Sequence, residues 1–111
     1  MSARILPATW KRVIDNNGFQ QVSSGMNTED PFDLLSKRAG MSEGAGQPTS
    51  GVTVFLSNSS EDYNRVKVSI TIHIPCACNE ADISLAGEVG FIKAHQMINE
   101  ASAALSLPLL Q

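Results

Sequence analysis

Two cysteines separated by one residue, Cys76 and Cys78, are the most reactive side chains in the sequence. They could join His73 or His95 in a metal site, or they could be two small apolar side chains in a loop. Metal sites normally use three or four ligands at defined spacing, and cysteines this close form a strained intramolecular disulfide. We therefore predict no metal centre and no cofactor.

The sequence contains no residue set that is typical of an enzyme. The glycine-rich segment 40–51 is not followed by Lys-Ser or Lys-Thr, as a phosphate-binding loop would be. His73 lies on a predicted strand and His95 at the start of a predicted helix, and spacing pairs neither with an acid or a nucleophile. We predict that the protein is not an enzyme.

The candidate functional side chains are instead polar and basic, and they lie along one predicted strand. In the run 65–75 apolar and polar residues alternate strictly, which is typical of a strand with one buried face. The polar side carries Arg65, Lys67, Ser69, Thr71 and His73. Cations and hydroxyls on an exposed sheet could contact RNA phosphates and unstacked bases, or they could form an ordinary solvated face.

The rest of the chain predicts an α+β fold in a single domain, 1–111. Asn17-Gly18 between short half-apolar runs predicts a hairpin over 9–24. We expect an antiparallel sheet over 32–92, with a mobile connector at 40–51. Segment 32–39 could start a helix after Pro31, but its alternation favours a strand.

Residues 82–92 also alternate, and Gly87 and Gly90 are unfavourable inside a helix. We therefore predict a strand there, paired with 65–75 in a meander that begins at 52–57. Apolar residues at 97, 98, 101, 104 and 105 predict a C-terminal helix over 94–106, which ends before Pro108. One short helix cannot cover the apolar face of such a sheet, so we expect a homodimer in which a second copy covers the rest.

Composition excludes several classes of protein. Charged residues make up 17% of the chain and the net charge is −3, which is unlike a strongly basic nucleic-acid protein. The ordinary apolar content argues against disorder. No apolar run reaches the length of a membrane span or of a signal peptide, so we expect neither a membrane partner nor export.

The run from Ser59 to Pro75, SSEDYNRVKVSITIHIP, followed by a return strand and a closing helix, resembles the coat proteins of single-stranded RNA bacteriophages (levivirus-like). The resemblance implies a domain-interlocked dimer with one continuous sheet of two five-stranded halves. Dimers would build an icosahedral capsid in the cytoplasm of a bacterial host, giving a virion. The inner sheet face would bind genomic RNA, and in many members it also binds a hairpin that represses translation.

Carried over by position, the RNA-binding residues would lie on the inner faces of three strands. They are Thr53, Ser57, Arg65, Lys67, Ser69, Thr71 and His73, with Ser84 and Glu88 on the third strand. The resemblance also makes Cys76 and Cys78 candidates for disulfides between neighbouring subunits, although free thiols are the alternative in a reducing cytoplasm. The other reading of the whole chain is a small dimeric β-sheet module that binds RNA or protein.

Overall fold

The structure, a computed structural model, describes residues 6–42, 50–60 and 65–111. It is an α+β fold in which a four-stranded antiparallel sheet is combined with two helices. The elements in chain order are β1 (Ala8–Asn16), β2 (Phe19–Asn27), α1 (Phe32–Ser42), β3 (Gly51–Ser59), β4 (Val66–Pro75) and α2 (Glu80–Ala104). Most of the expected connector, and residues 61–64, lie outside the described residues.

The N-terminal hairpin is confirmed. β1 pairs antiparallel with β2 around Asn17 and Gly18, which both have positive φ. Two consecutive residues with positive φ give the turn a twist that matches the flanking strands, and an Asn-Gly pair adopts this backbone conformation at low energetic cost. Gly18 N donates to Asp15 Oδ1 at 2.9 Å and ties the turn to the end of β1.

The strand order is β2-β1-β4-β3, so the hairpin is joined to the rest of the sheet through β1 and β4. The predicted pairing of β3 with β4 is confirmed, for example with Phe55 opposite Thr71. The other neighbour of β4 is β1, in the place that we assigned to residues 82–92. The expected meander of three long strands is therefore wrong.

The prediction of a strand over 32–39 is also wrong, because this segment forms α1. Phe32, Leu35, Ser36 and Ala39 are buried, and their spacing is that of one helix face. Lys37 lies one turn from Asp33, and their side chains form an ion pair at 2.9 Å. The short apolar pattern fitted both periods, and the helix after Pro31 was the alternative that the structure adopts. It also extends into the expected connector at 40–42.

Residues 82–92 are helical too, which corrects the second strand prediction. They form the first half of α2, whose buried positions recur every four residues at Asp82, Ala86, Gly90, Ala94 and Ile98. Asn79 caps the helix by accepting a hydrogen bond from Asp82 N at 2.8 Å. The predicted C-terminal helix is thus confirmed as the second half of a longer one.

The core lies between α2, α1 and one face of the sheet. The even-numbered residues of β4, from Val68 to Ile74, are fully buried, and Leu35 of α1 and Ile98 of α2 join the same cluster. Gly90 allows α2 to approach the sheet closely: a Cβ there would overlap Ile74 Cδ1 and lie 3.0 Å from Val54 Cγ2. This close approach stabilises a helix whose glycines would otherwise disfavour it.

Candidate nucleic-acid interface

The face of the sheet opposite the helices is uncovered by any described element, and we call it the open face. The strand registers place its residues in four rows across β2, β1, β4 and β3. The rows are Met26-Thr9-His73-Thr53, Ser24-Lys11-Thr71-Phe55, Val22-Val13-Ser69-Ser57 and Gln20-Asp15-Lys67-Ser59. None of these residues is buried.

Most of the predicted RNA-binding residues lie together on the open face. Thr53 and Ser57 lie on β3, and they face β4, which carries the rest of this set. The β4 members are Lys67, Ser69, Thr71 and His73. Arg65 directly precedes β4, is exposed, and lines a shared depression with Lys67 at this end of the sheet.

Ser84 and Glu88 do not belong to this surface. Both are exposed residues of α2, and α2 packs on the opposite face of the sheet. The prediction that Ser84 and Glu88 bind RNA depended on a strand at 82–92. It is wrong because this segment is helical and buries a face with a four-residue period.

Sequence reasoning missed the contribution of the hairpin. Thr9 and Lys11 of β1 lie directly beside His73 and Thr71 of β4. The hairpin pattern indicates that both residues share one side of β1. However, the pairing of β1 with β4 joins segments about sixty residues apart, and no local signal specifies it.

The open face is basic although the chain carries a net charge of −3. Among the residues of this surface that the structure describes, Lys11, Lys67 and the adjacent Arg65 face one acid, Asp15. Asp15 is engaged by the turn through Gly18 N and Gln20 Nε2. Among the described residues, neither lysine has an ion-pair partner, so both ammonium groups are available to an anion.

Two shallow depressions mark this surface. One of about 590 Å³ lies at the end with Arg65, Lys67 and Asp15. The other, of about 580 Å³, has a mixed lining of Lys11, His73, Thr9, Ser24 and Thr71 together with Trp10, Gly25 and Met26. The imidazole of His73 is held by a 3.0 Å hydrogen bond between Nδ1 and Thr53 Oγ1. Hydroxyls can both donate and accept hydrogen bonds, and the lysine and arginine side chains beside them can contact phosphates. This combination can bind a nucleic acid through its phosphates and its polar bases.

In the part of the chain that the structure describes, no three His, Cys, Asp or Glu side chains are grouped to hold a metal ion. Neither described helix has the length and apolar character needed to cross a membrane.

The two cysteines are in different environments. Cys76 is buried in the core cluster, whereas Cys78 is exposed in the segment before α2, and neither forms a disulfide within the chain. Burial raises the pKa of the Cys76 thiol, and the nearby Asp82 carboxylate and Cys78 add to the effect. Of the two candidates for an inter-subunit disulfide, Cys78 is the exposed one and Cys76 is not accessible in the folded chain.

We expect a thiol reagent such as iodoacetamide to modify Cys78 rapidly in the folded protein and Cys76 only slowly. The thiolate is the reactive form, and Cys76 is both shielded from the reagent and, with its raised pKa, less readily deprotonated. Peptide mass spectrometry over a time course measures both rates, and denaturation in urea should make them similar. Equal rates in the folded protein would contradict the burial of Cys76.

Compared with protein-family models, curated proteins and solved structures, the chain matches none of them.

Proposed function

We propose that this chain is the coat protein of a single-stranded RNA bacteriophage, which assembles from dimers into an icosahedral shell around genomic RNA. One observation carries the proposal: the sheet has two chemically opposite faces. Helices cover the apolar face, while no element within residues 6–42, 50–60 and 65–111 covers the other face, which is rich in hydroxyls and basic in an acidic chain. A shell needs such a division, with one side toward RNA and the other toward the exterior.

Apolar surface that the chain does not cover supports self-association. Neither helix makes extensive contact with β2, and Phe19 at its start is 83% exposed. Ile83, Phe91 and Ile92 are exposed on α2. Burial of such surface by a second copy would contribute about 25 cal/mol for each Å² removed from water.

In the proposed dimer the two chains interlock and their sheets join into one. The edges of the sheet are β2 and β3, and each has one strand neighbour among the described residues. Unpaired edge strands readily pair with another chain. The partners of the protein would be further copies of itself and the genomic RNA, in a virion assembled in the bacterial cytoplasm. Repression of translation through an RNA hairpin, and disulfides through Cys78, are further parts of the proposal.

Expression of the full chain in bacteria tests this proposal. We expect purified material to contain regular particles under negative-stain electron microscopy, to scatter light far more strongly than a dimer, and to co-purify with nuclease-protected RNA. A folded monomer without RNA would contradict it.

The second candidate is a small dimeric module that binds RNA or protein through the open face. It is favoured by the fact that this face is already assembled from residues of one chain and needs no shell to complete it. Light scattering separates the two candidates, because the module would give only a dimer even at high protein concentration and in the presence of RNA.

A further inference from the structure

Phe55 is the only phenylalanine, tyrosine or tryptophan among the described residues of the open face. Phe55 lies in the middle of β3, and 59% of its surface is exposed. A single exposed phenylalanine is common on protein surfaces. What distinguishes Phe55 is its surroundings, since its neighbours on this face all carry hydrogen-bonding groups.

The registers define these surroundings. Thr53 and Ser57 precede and follow Phe55 on the same side of β3, and Thr71 lies directly opposite on β4. The diagonal neighbours on β4 are Ser69 and His73. β3 is an edge of the sheet as far as the structure describes the chain, so no described strand lies on the remaining side of the ring. An exposed apolar ring with hydroxyls along one side can accept a flat ligand.

A cation lies in the same row as Phe55. Lys11 on β1 follows Thr71 across the sheet, so its backbone is two strand spacings, or about 10 Å, from that of Phe55. Lys67 lies on β4, two rows further along. An aromatic platform flanked by unpaired cations is the arrangement that binds single-stranded nucleic acid, in which bases stack on rings and phosphates contact lysines.

We infer that Phe55 is the stacking platform for one unpaired RNA base, with the adjacent phosphates on Lys11 and Lys67. The inference rests on the RNA-binding part of the proposed function. The hydroxyls of Thr71 and Ser57 would meet the polar edge of the stacked base. A duplex cannot use this platform because its bases are stacked on one another, so the open face should prefer single-stranded or loop RNA.

The test compares binding of a fluorescent oligouridylate with binding of an RNA duplex of the same length, using the full chain. Phe55→Ala should weaken binding of the single strand about 5- to 100-fold, the range expected for the loss of one base–aromatic stack. It should leave the salt dependence and the weaker duplex binding unchanged. Phe55→Tyr should bind like the wild type, whereas Phe55→Leu should resemble Phe55→Ala, because leucine is apolar but cannot stack.

Leu34→Ala is the control. Leu34 is 46% exposed but lies on α1, whose buried face packs into the core on the other side of the sheet, so its truncation should not change RNA binding. If Phe55→Ala binds the single strand as tightly as the wild type does, the stacking platform is wrong but the RNA-binding function is not contradicted. If the wild type binds neither the single strand nor the duplex, the stacking platform and the RNA-binding function are both wrong. If Phe55→Ala changes the oligomeric state and not the affinity for RNA, Phe55 belongs to a protein interface and the inference is wrong.

Discussion

Replacing Gly90 with alanine is expected to destabilise the folded chain by about 1–2 kcal/mol, although the same change normally strengthens a helix. The reason is the close approach of α2 to the sheet. The new methyl group would overlap Ile74 Cδ1 and press against Val54 Cγ2, and because Ile74 is fully buried its side chain would have to shift within the core. Gly90→Leu adds more volume at the same point and should cost more than Gly90→Ala.

Gly87 provides the matched control in the same helix. A Cβ at Gly87 meets no atom within 4 Å, so Gly87→Ala should stabilise the chain by up to about 1 kcal/mol through helix propensity alone. Urea unfolding followed by circular dichroism measures both free energies, under identical conditions of concentration and oligomeric state. If both alanine variants stabilise the protein equally, α2 does not approach the sheet as closely as described.

Removing the two lysines of the open face is expected to weaken RNA binding strongly. The double variant Lys11→Gln/Lys67→Gln should lose about 10-fold in affinity for single-stranded RNA near physiological salt, with little dependence on sequence. Each phosphate contact on a single strand contributes about 0.7 to the slope of log affinity against log salt. The double variant should therefore flatten this slope by about 1.4, which a titration at several salt concentrations would detect.

A charge-matched control separates position from net charge. Lys37 and Lys93 lie on α1 and α2 and are already paired with Asp33 and Glu29. Lys37→Gln/Lys93→Gln changes the net charge from −3 to −5, as the open-face double variant does, because each removes two positive charges. The control should retain the wild-type slope. Equal weakening by both double variants would show that RNA responds to overall charge and not to the open face.

Local patterns predicted part of this fold well. The alternation over β4 extends for nine residues, 66–74, with a period of two, and no helix can bury such a face, so the strand and its polar side were predictable. The Asn17-Gly18 turn has a backbone requirement that few other residue pairs meet. These signals are local because the physical cause, backbone twist or side-chain alternation, acts within a few residues.

The errors arose where a short apolar pattern fits two periods. In the first half of α2, Ile83, Leu85 and Val89 suggested a strand, while the helix is indicated by small residues four apart and by the cap at Asn79. The unfavourable free energy of glycine relative to alanine in a helix interior describes a helix without tertiary contacts. In the folded protein that cost is offset by close packing against Val54 and Ile74, and packing of this kind depends on a surface that comes from elsewhere in the chain.

The sequence by itself determined the α+β class, the hairpin, the two long strands, the C-terminal helix and the polar side of β4 that carries Lys67 and His73. Only the tertiary structure decided that β1 pairs with β4, which brings Lys11 into one row with Phe55. It also decided that Ser84 and Glu88 lie on α2, away from the open face, and that Cys76 is buried while Cys78 is exposed. The reason is that residue periodicity specifies which side of an element is apolar, whereas the choice of neighbour depends on the burial that distant segments achieve together.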